Sequence, residues 1–157
     1  MKNILCFLYD TYVDFEIALV CSYLNLNENI KITYISYDKD FVLSSAGLTV
    51  KPDLTVKEAL TIVNEIDGLI IPGGFESPFH FELKELIRKL YDGNKLLAAI
   101  CAGPEFLAKS GNKYKKSKYI LQLNIIIFIY PFNFFLSSLL LPHTFQIVFL
   151  FLHVNFL

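Results

Sequence analysis

Chemistry in this chain concentrates on a sulfur at the end of an apolar run. In "LLAAICAGPEFLAKSG" (96–111) the segment Leu96–Ile100 leads into Cys101, after which Gly103 and Pro104 turn the chain into a short helical stretch. A side chain at such a strand-to-helix turn is thrust outward, and the amides of Ala102 and Gly103 point back at it. This is the arrangement of a nucleophile elbow. The bend needs small neighbours, which Ala102 and Gly103 supply, and Pro104 suits a first helical position that requires no donor. A helix N-terminus draws a thiol pKa down from about 8.5 toward roughly 3.5–7.5. A buried packing cysteine fits the same local pattern, so two readings of Cys101 stand side by side.

Two further places carry groups that suit such a sulfur. Gly73-Gly74, at the end of "DGLIIPGG", offers unhindered backbone amides for an oxyanion, or simply a tight turn. Glu16, in "YVDFE", falls in the first turn of a helix, where a carboxylate ordinarily complements the dipole. Facing Cys101 instead, a partly buried carboxyl would hold its proton and donate to the thiolate. Cys6 lies inside an apolar strand and Cys21 inside a helix, and both read as packing residues. The three cysteines form no CxxC pair and no metal-ligand spacing, so neither a metal nor a cofactor is expected.

The elements around these residues alternate. "NILCFLY" (3–9) is a continuous apolar run, the pattern of a strand covered on both faces. A loop follows, with Asp14 as the expected N-cap of the helix "FEIALVCSYLNLNEN" (15–29). "IKITYIS" (30–36) is a β-branched strand, and "FVLSSAGLTVKPDLTV" reads as a hairpin-like excursion around Ala46-Gly47. After a modest helix, "VKEALTIVNEI", comes the buried strand that ends at Gly73-Gly74. The next helix sets Leu83, Leu86, Ile87 and Leu90 on one face and stops at Gly93. "KLLAAI", the turn at Cys101 and a helix ended by Gly111 complete the series. Strands alternating with helices predict a parallel α/β sheet with helices on both faces and a site at the carboxyl ends of the strands.

The totals exclude some classes. With 157 residues one domain is expected. Lys and Arg total 14 against 15 Asp and Glu, for a net charge of −1, so nothing points to nucleic acid. "MKNILCFLYD" reaches Asp10 too early for a signal-peptide core of about 7–15 apolar residues. A cytoplasmic, reducing setting is therefore expected.

"YVDFE", "DGLIIPGG" and "AAICAGP", in that order and spacing, resemble the ThiJ/PfpI family. That family includes the Parkinsonism-associated deglycase and lies in the class I glutamine amidotransferase-like superfamily. The resemblance covers residues 2–111. It implies a flavodoxin-like α/β fold, here incomplete at the C-terminus, and usually a homodimer. It also implies Cys101 as nucleophile and oxidation sensor, Glu16 hydrogen-bonded to the thiol, and Gly73, Gly74 and Ala102 as pocket backbone. The implied chemistry is glyoxalase or deglycase action on a small aldehyde or a glycated protein, in stress protection. A non-catalytic redox sensor or chaperone-like role is the alternative, and peptidase or amidotransferase activity a third.

The resemblance has limits. Family members carry a histidine within about two dozen residues after the cysteine, but "YKKSKYILQLNIIIF" holds none. His80 opens a helix after the double glycine and reads as a surface residue or one at the pocket mouth, while His143 and His153 are assigned no role. After Lys118 the chain carries no Asp, Glu, Lys or Arg. Three readings fit the segment 112–157: aberrant translation or intron read-through of A/T-rich sequence, a membrane anchor, or the last strands of the sheet. The first is preferred and the anchor comes second. A sheet lacking its final elements would expose an edge and an apolar face.

Overall fold

A computed structural model describes residues 1–38, 40–111 and the strand 120–123. Its centre is a six-stranded, all-parallel sheet in the order β5-β2-β1-β6-β7-β8. The strands are β1 (Lys2–Phe7), β2 (Ile30–Ser36), β5 (Leu54–Thr55), β6 (Gly68–Ile71), β7 (Leu96–Ile100) and β8 (Ile120–Leu123). β3 (Val42–Leu43) and β4 (Thr49–Val50) pair antiparallel as the expected hairpin. The helices are α1 (Asp14–Asn25), α2 (Val56–Thr61), α3 (Phe81–Asp92) and α4 (Pro104–Lys109).

The chain steps one way from β1 to β2 and the other way from β6 to β7 and β8. Right-handed crossovers then put α1 on one face and α2, α3 and α4 on the other. Contacts of α3 with both α2 and α4 agree. The continuous apolar runs form the central strands because both of their faces are covered. Leu5, Phe7, Leu69 and Ile71 are fully buried, as are all four expected core positions of α3. Thr55 and Glu58 close a reciprocal capping box at the start of α2.

Two boundaries differ from the sequence expectation. Val13, not Asp14, is the N-cap of α1. Asp14 is occupied elsewhere: Ser44 Oγ donates to its Oδ2 at 2.8 Å, and the Phe15 N–H to its Oδ1 at 2.8 Å. α1 also ends at Asn25 rather than near Asn29. The Asn27 side chain accepts from the Asn29 N–H at 2.9 Å, a local bond that competes with helix.

β8 lies beyond residue 111, where the family resemblance was read to stop, and pairs in register with β7. The rest of 112–157, with His143, His153 and the read-through and anchor readings, lies outside the described residues. Among the described residues no helix is long and apolar enough to cross a membrane.

Candidate active site

The sheet order reverses beside β1, so the carboxyl ends of β1, β6 and β7 form the natural crevice for a site. Three backbone segments meet there. The loop after β1 is zipped to the turn after β6: the Val13 N–H donates to Gly73 O at 2.9 Å, and Tyr12 bridges Gly74. The Glu76 N–H donates to Thr11 Oγ1 at 3.1 Å, and Thr11 itself has a φ of 67°. The buried Tyr9 hydroxyl donates to Pro72 O at 3.0 Å. This zipper brings the first turn of α1 over Gly73.

Glu16 is buried, 5% exposed, and its Oε2 accepts from the Gly73 N–H at 2.6 Å. A Cβ at Gly73 would lie 2.9 Å from Cys101 Cβ and 3.0 Å from both Glu16 Oε2 and the Ala102 nitrogen. Only glycine lets these groups come together. Glu16, Gly73, Cys101 and Ala102 thus form one cluster.

Cys101 is exposed and sits at φ 51°, the left-handed region that a non-glycine residue enters at a cost of about 1–3 kcal/mol. The turn is held by the Gly103 N–H, which donates to Ile100 O at 2.7 Å. A Cβ on Gly103 would collide with the carbonyl oxygen of Ile71 on the neighbouring strand. The small residues after the cysteine are therefore demanded by β6 as well as by the bend.

The electrostatics correct one expectation. The Cys101 thiol is pushed above its ordinary value, first by burial, then by the charge of Glu16 and by the hydrogen bond the thiol makes to that carboxylate. The Ala102 N–H pulls the other way and does not win. The shift at Cys101 therefore runs opposite to the lowering that a helix N-terminus alone predicts. α4 begins only at Pro104 and runs six residues, so its dipole is a small counterweight.

The Gly73 N–H is committed to Glu16. The Ala102 N–H is the amide that meets the sulfur. His80 is not brought into this cluster. It caps α3, is exposed, and stacks on Tyr37 with ring centroids 3.8 Å apart. Its N–H donates to the Tyr37 hydroxyl at 3.1 Å, and that hydroxyl donates to Pro78 O at 2.6 Å. Among the described residues no three His, Cys, Asp or Glu side chains are grouped to hold a metal ion.

Sequence reasoning missed Tyr9 and Thr11, which set the position of Gly73. The one available signal was a tyrosine closing an otherwise apolar run, an amphipathic tip at a strand's carboxyl end.

Residues 2–118 match the DJ-1/PfpI family. Over 101 residues the chain is 34% identical to the deglycase PfpI of Pyrococcus furiosus, covering 61% of this chain and 59% of that protein. A deglycase of Pyrococcus horikoshii is 33% identical over 110 residues, covering 66% of this chain and 64% of the relative. This chain thus spans roughly three-fifths of the length of these relatives. A crystal structure of a DJ-1 superfamily protein from Agrobacterium tumefaciens superposes with a TM-score of 0.62 at 32% identity, covering 71% of this chain and 59% of that one. A parallel sheet of this order, an elbow cysteine beside a buried glutamate, and a match over most of the sequence agree: the chain belongs to the DJ-1/PfpI family.

Proposed function

We propose that this protein is a cysteine-dependent deglycase or glyoxalase acting on α-oxoaldehydes or their protein adducts. The observation that carries the reading is the convergence of the Cys101 thiol, the Glu16 carboxylate and the Gly73 amide at the mouth of the sheet. Deglycase-named relatives at 33–34% identity support the reaction class.

In this mechanism Glu16 takes the thiol proton as Cys101 Sγ attacks the aldehyde carbon, so no resting thiolate is required. The product is a hemithioacetal, its oxygen steadied by the Gly74 and Ala102 amides. Glu16 then relays the proton on the former aldehyde carbon to the adjacent carbonyl carbon, through an enediol, leaving a thioester. Water cleaves the thioester, releasing a 2-hydroxy acid and restoring the thiol. The test is lactate formation from methylglyoxal. Cys101→Ser is expected to abolish it and Glu16→Gln to reduce it about 10²–10⁴-fold. Equal rates in the Cys101→Ser protein overturn the covalent step.

A second reading is supported by the placement of His80 against Tyr37, away from the sulfur. Among the described residues no imidazole joins the cluster, and Cys101 would then serve as a redox sensor oxidised to the sulfinic acid without turnover. Mass spectrometry after mild peroxide treatment, run beside the lactate assay, separates the two.

The reading includes a homodimer in a reducing, cytoplasmic setting. Phe15, Leu19, Tyr23 and Leu26 form an exposed apolar stripe along α1 and its C-cap, which supports self-association.

A further inference from the structure

Two thiols take no part in this mechanism. Cys6 on β1 pairs in register with Tyr34 on β2, so their side chains share one face of the sheet. α1 links these two strands and covers that face. Its buried positions Ile17 and Cys21, one turn apart, point at it. Both cysteines are free thiols, with Cys6 0% and Cys21 3% exposed. Cys6 and the Tyr34 hydroxyl stand close enough to Cys21 in this seam to act on its proton affinity. Cys6 and Tyr34 hold Cys21 below its ordinary value against the effect of burial, while Cys21 and burial hold Cys6 well above. A polarised thiol beside a protonated one is the composition of an attacking and resolving pair.

We propose that Cys6 and Cys21 form a second redox site, which a peroxide oxidises to an intramolecular disulfide fastening α1 to β1. When an opening of β1 and α1 admits peroxide to the buried pair, Cys21 Sγ attacks one peroxide oxygen. The O–O bond breaks, water leaves with the Cys21 proton, and Cys21 becomes a sulfenic acid. Cys6 Sγ then displaces that hydroxyl, the S–O bond breaks, and the Cys6 proton departs with it as a second water. Two thiols lose two hydrogens in all, and the peroxide is reduced to two waters. The site is independent of Cys101, which stands at the end of β7.

The full chain suits the test without substitution, because trypsin releases both thiols in one peptide, Asn3–Lys31, and Cys101 in another, Leu96–Lys109. The protein is treated with hydrogen peroxide, quenched, denatured, alkylated with iodoacetamide and digested. The expected Asn3–Lys31 peptide is two hydrogens lighter and carries no label, and dithiothreitol before alkylation returns it to the doubly labelled form. A doubly labelled peptide after peroxide, or one holding a sulfinic acid on one thiol and a label on the other, overturns the proposal. In a Cys21→Ser protein, Cys6 is expected to be fully labelled after the same treatment. Its oxidation there overturns the assignment of Cys21 as the attacking sulfur. The state of Leu96–Lys109 in the same digest reports on Cys101 separately, so either idea can fail alone.

Discussion

Cys101 and the Cys6–Cys21 pair hang from one sheet under opposite conditions. Cys101 stands at a turn, exposed, in a left-handed backbone, with a carboxylate as partner. Cys6 and Cys21 sit in regular strand and helix, sealed from water, with a thiol and a phenol as their donors. At the turn, loss of solvent and the neighbouring Glu16 carboxyl hold an accessible thiol above its ordinary value. In the interior, hydrogen-bond donors polarise a sulfur that solvent does not reach. Exposure and proton affinity are separate variables, and this fold sets them in opposite directions.

The largest expected effect is the difference in alkylation rate in the native protein. Iodoacetamide reaches Cys101 directly, but reaches the buried pair only through an opening of β1 and α1. An opening of about 4 kcal/mol corresponds to roughly a thousandfold slower labelling. Time-resolved peptide mapping is expected to show Leu96–Lys109 labelled first and Asn3–Lys31 last. Comparable rates would break the contrast.

Part of this contrast was legible in the residues themselves. The elbow could be read because Ala102, Gly103 and Pro104 satisfy a local constraint, and the core strands because their apolar runs are continuous. What escaped depends on partners distant in sequence. Asp14 lost the N-cap to Val13 because Ser44, on the hairpin, occupies its carboxylate. The direction of the Cys101 shift turned first on loss of solvent and then on Glu16, a residue from another element; together they outweigh the amide next door. Cys6 and Cys21 read as separate packing residues because neither periodicity nor spacing shows that β1 and α1 bring them into contact. β5, only two residues long, offers no pattern at all.

A smaller effect isolates the charge. Glu16→Gln removes one of the groups that push the Cys101 thiol up, so the midpoint of its alkylation profile is expected to fall. Below both midpoints the labelling rate then rises. A midpoint that rose instead would show Glu16 holding the shared proton and donating it to sulfur. The sign carries into stability. The raised thiol stays protonated in the folded protein after the unfolded chain has released its proton, so stability falls as pH climbs through that interval. Urea titrations across the alkaline range are expected to show a shallower decline in Glu16→Gln.

The smallest effect tests whether the two regions communicate. α1 carries both Glu16 and Cys21, each buried, on one short helix. A change that displaced Cys21 would therefore shift Glu16 and alter the Cys101 midpoint. Tyr34→Phe removes only the hydroxyl that donates to Cys21 and leaves the ring packed on β2. It is expected to lower stability by about 1 kcal/mol or less and to leave the Cys101 profile where it was. A packed helix does not follow the loss of one hydrogen bond. Gly73, held to Glu16 at 2.6 Å and to Val13 at 2.9 Å, anchors the first turn of α1 independently of its middle. A moved Cys101 midpoint in Tyr34→Phe would mean that this anchor yields, and that oxidation at Cys6 and Cys21 is felt at the exposed sulfur.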